Sequence, residues 1–550
     1  MLGIRIRLPS RSLIPIAVGV AIASMGIAGV ARADTDNIAN TSNVPVVPHL
    51  MACAQVPTAG TGASSWTPSA FSFDISWVDA QNRAYYLADR SHNGVTAANG
   101  GGGDVMVVDI NSVSLASANT QLPDPGTASP EGFYMLPPAN DPMAGIRCDQ
   151  NVAFGGTNGV GRNELTGPNG AFTVNHTEVW VGDGPSNNWQ PTQFDAGATL
   201  LNPGPGITTC ASVGAQCSYA GKPQDYAADP CNSSVRVFDL VSRQQTDHIN
   251  VHGCFRTDEG AFDPIDQIAV FANPSEQSSL KGVAAGFTTV DHAPFVTFIS
   301  TRPKAGGSAT RDAHKILKQI DFDGTNGTVL ADMGIEQAVY SPKTGLFYIA
   351  IPGTSANPNG YVTVIDPRRD GDDHRDGRDR DGRDNDDGSG IHVVRNIALT
   401  GGCAPNGAAL GPDYELGLFC SSASIQVIDI RSGHLIGTVP QTSGGCDEGS
   451  YNGGDNHFAG ACTDAAAQDN IDVVDAERVH FDLSATTGAA GAHSIAADPV
   501  TVSFWQPAAA TAVAGPNIHS ACGADPCVLI WKSTGGDDQG DFAEDEHERR

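Results

Sequence analysis

The sequence predicts an all-β chain: a seven-bladed β-propeller of four-stranded blades, disulfide-supported, with a disordered acidic insert and tail. Three observations lead there. The stretch Gly401 to Asp475 reads GGCAPNGAALGPDYELGLFC and SIQVIDI, then begins again as GGCDEGSYNGGDNHFAGAC and NIDVVDA. In each copy two short apolar runs flank a turn of Gly, Pro, Asp or Asn, as in a β-hairpin, and an alternating strand ending in Asp follows. The same two templates alternate along most of the chain. Composition agrees, since 64 Gly and 34 Pro among 550 residues, 40% of them hydrophobic, suit a large turn-rich β core. A unit of about four short strands buries its faces only against neighbouring units, which makes a ring of blades the natural assembly.

Taken in order, the hairpins are FDISWVDAQNRAYYLAD, GPNGAFTVNHTEVWVGD, TDEGAFDPIDQIAVFAN, IEQAVYSPKTGLFYIAI, APNGAALGPDYELGLFC, CDEGSYNGGDNHFAGAC and AHSIAADPVTVSFWQPA. Each precedes a third strand: DVMVVDI (104–110), SVRVFDL (234–240), FVTFIS (295–300), YVTVIDP (361–367), SIQVIDI (424–430), NIDVVDA (470–476) and CVLIWKS (527–533). The closing Asp is replaced by Ser300 and Lys532 in two copies. A β-sandwich with coincidental alternation would not place both templates in order throughout. The stretch after Ala33, or the strand near Val528, is expected to help close the ring.

The ends and insertions divide the chain further. Arg5, Arg7 and Arg11 precede the apolar run 13–30, and Ala31-Arg32-Ala33 has the A-x-A form of a cleavage site. Residues 1–33 therefore read as a signal peptide rather than a membrane anchor, which places the protein in the periplasm or among secreted proteins. Residues 34–66 form a lead segment, 67–533 the propeller and 534–550 an acidic disordered tail. Long polar excursions lie between Gly184 and Ser233, a candidate lid or rim, and between Pro274 and Pro294. Within the propeller, 368–390 is an insert of Asp, Arg and Gly. It hints at a calcium loop without completing the pattern, and reads better as disordered.

Removing residues 1–33 takes away four Arg and no acid, so the formal net charge moves from −30 to −34. Such a surface repels phosphate backbones and anionic lipid, which argues against nucleic acid as a partner. No later stretch is apolar for long enough to insert into a membrane. A monomer is expected. Twelve Cys in an exported chain indicate disulfides rather than a thiol catalyst. In an antiparallel hairpin the start of the first strand faces the end of the second, so Cys403 is expected to pair with Cys420 and Cys446 with Cys462. Cys522 and Cys527 could close a local loop. Cys53, Cys148, Cys210, Cys217, Cys231 and Cys254 remain unassigned.

Aligning the hairpins on their turns reveals a polar column near the start of the first strand. It holds Asp74, Asp258, Glu336, Asn406, Asp447 and His493, with Asn169 offset by one residue; Glu259, Gln337 and Glu448 follow. The first strand of each propeller blade lines the central channel, so these side chains should converge although they are far apart in sequence. Crowded carboxylates repel unless some are protonated or a cation lies among them. Asp258, Glu336, Asn406 and Asp447 are the candidate ligands of a divalent cation, with Ca²⁺ the expected ion from their oxygen donors. His493, Glu259 and Glu448 are the acid–base candidates. The plainer account is that these groups satisfy backbone atoms or hold channel water.

FDISWVDAQNRAYYLADRS, DEGAFDPIDQIAVFAN, IEQAVYSPKTGLFYIAI and AHSIAADP resemble the repeats of bacterial exported YVTN/NHL-type propellers, over most of residues 72–533. That resemblance implies a fold more than an activity. More distantly, the column is similar to that of the senescence-marker/gluconolactonase and paraoxonase lactonases, which hold a divalent cation, usually calcium. Glu336, Asn406 and Asp447 match their acid–amide–acid set. Asp74 stands where those enzymes have a first-blade Glu, and the Cys-bearing excursion is foreign to them.

Two functions follow as expectations. One is a non-catalytic propeller that binds a small molecule, glycan or protein at its axial face. The other is a metal-dependent lactonase- or esterase-like hydrolase, or a lyase, in which the cation polarises a carbonyl while a carboxylate or His493 activates water. The chain has no G-x-S-x-G, H-E-x-x-H, P-loop or dinucleotide fingerprint, which disfavours serine hydrolases, zincins, NTPases and dehydrogenases.

Overall fold

A computed structural model of the chain describes residues 49–55, 73–89, 101–102, 104–112, 126–128, 130–133, 147–148, 168–183, 199–201, 216–218, 233–241, 245–251, 253, 256–274, 293–301, 314–368, 390–422, 424–440, 445–463, 469–486, 493–508 and 527–532. All of them belong to one compact unit, Pro45–Arg550. Among them the one helix is a single 3-10 turn, Ile110–Ser112.

Seven sheets repeat one plan, each strand antiparallel to the next from the inside outwards. Blade 1 is Phe73–Asp79, Ala84–Asp89, Asp104–Asp109 and Pro130–Phe133; blade 2 is Pro168–Val174, Glu178–Asp183, Ser234–Asp239 and Gln245–Asn250. Blade 3 is Gly260–Asp263, Ile268–Asn273, Phe295–Ser300 and Ile316–Asp321; blade 4 is Ala338–Ser341, Leu346–Ile351, Tyr361–Asp366 and His392–Ala398. Blade 5 is Pro405–Leu410, Glu415–Cys420, Ser424–Asp429 and Leu435–Pro440; blade 6 is Cys446–Asn452, His457–Thr463, Asp469–Asp475 and His480–Thr486. Blade 7 takes Ala496–Asp498, Ser503–Ala508 and Cys527–Lys532 from the end of the chain and His49–Gln55 from its beginning. The first strands touch their neighbours around the full circle, blade 7 meeting blade 1. The expected seven-bladed propeller is therefore present, and part of the lead segment is its closing strand.

One irregularity recurs at the same place in every blade. The fourth strand carries one extra residue opposite the last two apolar residues of the third: between Val107 and Val108 in blade 1, Val427 and Ile428 in blade 5, Val473 and Val474 in blade 6. Blades 2, 3 and 4 repeat it. In blade 7 it falls at Met51, between Leu50 and Ala52, which identifies His49–Gln55 as a true fourth strand. Gly126–Ala128, from the third-to-fourth-strand connection of blade 1, then pairs parallel to Ala52–Ala54 and braces the seam.

The repeated strand-end Asp has a local cause. Asp429 Oδ1 accepts the backbone N–H of Arg431 at 2.8 Å and of Ser432 at 2.9 Å, closing the next turn. Asp366 does the same for Arg368, and Asp475 for Arg478. First strands end alike: Asp79 holds the amides of Gln81 and Asn82, and Asp263 those of Ile265 and Asp266. A short acceptor there replaces a backbone partner the turn lacks.

The core lies between blades rather than within them. Phe298 of blade 3 packs on Phe347 of blade 4, Tyr85 of blade 1 on Trp505 of blade 7, and Phe172 of blade 2 on Phe271 of blade 3. All six are nearly or fully buried, each contributing about 1.5–3 kcal/mol of hydrophobic stabilisation or more by area. The two expected disulfides are formed, Cys403–Cys420 with Cα atoms 4.7 Å apart and Cys446–Cys462 at 3.8 Å. Such bonds fit a protein that folds outside the reducing cytoplasm. Among the described residues no helix is long and apolar enough to cross a membrane.

The signal peptide, the acidic insert beyond Arg368, the tail and the excursion between Pro274 and Pro294 lie almost wholly outside the described residues, as do the side chains of the other eight cysteines. Within the excursion after Gly184, Thr199–Leu201 pairs with Gln216–Ser218.

Blades 2 and 3 are also joined by an ionic latch. His314 Nδ1 lies 2.8 Å from Asp247, and Nε2 lies 3.6 Å from Glu178, with Trp180 edge-on to the ring. Burial alone would lower the imidazole's pKa, but the bonds to Asp247 and Glu178 and their charges outweigh it and raise it to about 9. A histidine whose folded pKa is raised stabilises fully below its unfolded value of about 6.5, and loses that contribution as pH rises through the folded value. We expect His314→Gln to melt below the wild type at pH 6, with the gap closing towards pH 10 in paired thermal melts.

Candidate functional site

The polar column sits where the chain enters each first strand, and backbone bonding fixes its register. Asp258 N–H donates to Ala272 O at 2.8 Å, and Glu336 N–H donates to Ala350 O at 2.9 Å. Asn169 proves to occupy the same position as Asn406, without the one-residue offset. Each follows a proline, Pro168 or Pro405, paired with the last residue of the second strand, Asp183 or Cys420.

Close approach of neighbouring first strands sets the depth of the column. A Cβ on Gly407 of blade 5 would lie 2.5 Å from Asp447 O and 2.8 Å from the Cα of Glu448 in blade 6. Gly170 of blade 2 meets Asp258 and Glu259 of blade 3 in the same way. Only glycine lets these backbones come together. Gly407→Ala should force blades 5 and 6 apart and cost about 1–3 kcal/mol in denaturant unfolding, as overpacked cores do.

Glu259 and Glu448 come from blades three steps apart and meet. Their carboxyl groups are strongly coupled electrostatically, and both side chains are buried. Two ionised carboxylates so placed repel each other, which favours the protonated form of the pair. Burial is the main cause that pushes both pKa values well above the ordinary 4.5. For Glu259 the charges of Glu448, Asp258, Glu336 and Asp447 add to it; for Glu448, those of Asp447 and Asp74 do. Blades 1, 3, 4 and 6 thus project carboxylates into one electrostatic space, despite separations of up to 374 residues between Asp74 and Glu448. Glu259 Oε2 and Glu448 Oε1 are buried without a hydrogen-bond partner, a costly arrangement for oxygen acceptors.

Several other column members have defined partners. His493 Nδ1 lies 2.6 Å from Asp447 Oδ2, and with Nδ1–H donating to the carboxylate, Nε2 is the ring nitrogen turned away from it. The two side chains are 42% and 35% exposed, so this pair is open to solvent. Arg256 makes an ion pair with Asp258, a partner that the sequence reading did not single out. Gln337, beside Glu336, is occupied structurally: its Oε1 accepts from Ala408 N–H at 2.6 Å and its Nε2 donates to Gly449 O at 3.4 Å. Asn406 Nδ2 reaches Cys446 O at 3.5 Å.

Whether this ring suits a cation can be judged from its donors. Carboxylate and amide oxygens are the hard ligands that Ca²⁺ takes, and the two partnerless glutamate oxygens would be satisfied by one. The charges converge without being drawn tight. Among the described residues, three ligand atoms of His, Cys, Asp or Glu lie within 4.8 Å of one another only at Cys446, Cys462 and Asp472, where a disulfide consumes both sulfurs.

A carboxyl whose folded pKa is raised favours the folded state fully below its unfolded value, and this contribution is lost as pH rises through the folded value. Metal-free protein should therefore lose stability as pH climbs from 5 to 8. Glu448→Gln, which keeps a neutral hydrogen-bonding group beside Glu259, should flatten that slope in urea titrations. No protein-family model matches the chain, and no curated protein is significantly similar to it.

Proposed function

We propose that this propeller is an exported binding protein whose axial face takes a divalent cation, together with a small polar ligand. One observation carries the reading: carboxylates of four blades act electrostatically on the buried pair Glu259 and Glu448, and each of the two has a buried oxygen without a hydrogen-bond partner. A ring that only lined a water channel would gain nothing from such repulsion, whereas a cation offsets it directly. Glu336, Asn406 and Asp447 would hold the ion, with Glu448 close behind. Asp258 already shares its charge with Arg256. Likeness to the exported YVTN/NHL-type propellers is part of this proposal, and it bears on the fold more than on the activity.

The contact between His493 and Asp447 favours a second reading, a lactonase- or esterase-like hydrolase. A solvent-open imidazole anchored through Nδ1 to a carboxylate is the arrangement of a general base that takes a proton from water at Nε2. A bound cation would supply charge stabilisation at the carbonyl oxygen of an ester or lactone.

Metal analysis of protein purified without chelator decides the first reading. Near-stoichiometric calcium, magnesium or manganese is expected. Asp447→Ala should lose the metal and melt at lower temperature, while Asp413→Ala, whose side chain is 92% exposed, should change neither. Unaltered metal content and melting in Asp447→Ala would reduce the ring to a channel lining. His493→Ala then separates the two readings: it should abolish ester or lactone turnover in the enzyme and leave metal content intact in both.

A further inference from the structure

Acids also gather at the other end of the first strands, where the hairpins of blades 5 and 6 meet. Phe458 of blade 6 packs against Gly411 and Gly417 of blade 5, and a Cβ on Gly417 would come 2.9 Å from its ring. Tyr451 packs on the same phenyl ring, with 5.2 Å between centroids. This contact seats the turn that carries Asp413 and Glu415 against the turn that carries Asp455. Glu477, from the next turn of blade 6, is tied in through Asn456. The Nδ2 of that residue donates to Glu477 Oε1 at 2.7 Å, and its Oδ1 accepts from the Tyr451 hydroxyl.

All four carboxylates act on one hydroxyl. Burial pushes the pKa of Tyr451 up, and the charges of Asp455, Glu415, Glu477 and Asp413 push it further, in that order. Burial also raises Glu415 to about 7, with Asp413, Glu477 and Asp429 adding to it. Side-chain exposure falls from 92% at Asp413 to 7% at Asp455, so the cluster opens at the surface and ends on a buried acid. Neither Asp455 carboxylate oxygen has a hydrogen-bond partner, nor does Glu415 Oε2, although all three atoms are buried. His457 Nδ1 lies 3.6 Å from Asp455 Oδ2, but its N–H goes to the Asp455 backbone carbonyl, a pure acceptor 2.6 Å away. Buried acceptors left in this state are costly until a donor reaches them.

Other seams on this face are tied by cationic donors from the chain itself: Arg83 to Asp498, His176 to Asp79 and Lys343 to Asp413. Among the described residues, Asp413, Glu415, Asp455 and Glu477 make no hydrogen bond or ion pair across the seam between blades 5 and 6. Blade 5 shows which donor suits an acid beside a tyrosine. Arg431 Nη2 donates to Asp429 Oδ2 at 2.7 Å, and its guanidinium lies over the Tyr414 ring, 4.2 Å from the centroid. A guanidinium carries five N–H donors in one plane, enough to serve oxygens on two carboxylates together. We propose that the seam between the hairpins of blades 5 and 6 is a recognition site for an external guanidinium group, either an arginine side chain of a peptide or a free guanidino compound. Asp455 and Glu415 accept its N–H donors, and Asp413 and Glu477 at the rim steer the cation inwards. The site is separate from the axial column and independent of the cation reading given above.

Isothermal titration of the full chain with N-acetyl-arginine amide tests this. The wild type should bind it saturably at one site. Asp455→Asn and Glu415→Gln, which keep the shape and remove the charge, should each weaken binding about tenfold or more. Asp447→Ala, which alters only the axial column, should bind it as the wild type does. Binding lost in Asp447→Ala but kept in Asp455→Asn puts the guanidinium at the axis and overturns the seam site. Absence of saturable binding overturns it too, and equal affinity for N-acetyl-lysine amide overturns guanidinium recognition. Tighter binding of acetyl-Gly-Arg-Gly-amide than of 1-butylguanidine identifies a peptide as the source, and the reverse a free guanidino compound. Should Asp455→Asn fold poorly, Glu415→Gln decides alone: unchanged affinity there defeats the proposal. None of these failures touches the metal analysis of the axial site.

Discussion

Everything at the axis depends on one antiparallel pairing, that of His49–Gln55 with Cys527–Lys532. A blade has no way to bury its two faces except against neighbours, so an open array would leave blade 1 and blade 7 each half exposed. Pairing the beginning of the chain with its end removes both exposed faces at once. It also fixes the diameter of the ring, and with it the distance between first strands that approach the axis from opposite sides. The contact between Glu259 and Glu448 is a consequence of that closure and not of any local preference.

The two faces of the ring divide the work. On the hairpin-turn face, side chains bridge neighbouring blades in series: Asn452 to Asp498 and Ser503, Arg83 to Asp498 at 2.8 Å, His176 to Asp79 at 2.9 Å, and Asn175 with Gln267 at 2.7 Å. These contacts tie blades 6, 7, 1, 2 and 3 into a belt of satisfied hydrogen bonds. The opposite face carries like charges that the fold brings together at a cost. Rigidity on one face is what allows electrostatic strain to persist on the other, since blades free to splay would let the carboxylates separate.

Much of this was legible in the sequence, and the exceptions share a cause. The hairpins, the third strands and the bridges Cys403–Cys420 and Cys446–Cys462 follow from local pattern, because a hairpin determines which residues lie opposite each other. The polar column could be read from the repeat. Which of its members touch could not, because that depends on a ring closed by residues four hundred or so positions away, as with Ser76 and Ser494 at a sequence separation of 418. Arg256 leaves no signal in the repeat, because the residue two before Asp447 is Gly445 where the residue two before Asp258 is arginine. Asn169 was misplaced by one because its hairpin turn, Asn175 and His176 with φ of 52° and 55°, is tighter than the longer turn of blade 5. The closing strand was visible only as a choice between two stretches, since HLMACAQ has too little alternation to declare itself.

The extra residue in every fourth strand has a meaning beyond geometry. A propeller ends outward in as many strand edges as it has blades, each a row of amide and carbonyl groups able to recruit a strand from another molecule. Here those edges carry exposed apolar side chains, Val394 in blade 4 and Leu435 and Ile436 in blade 5. A flat strand of that composition would invite sheet-to-sheet association among neighbouring molecules. The bulge kinks the edge and breaks its hydrogen-bonding rhythm, so an incoming strand finds no continuous template. The same irregularity that marks the blades as copies of one another also keeps the molecule from copying its sheets onto its neighbours.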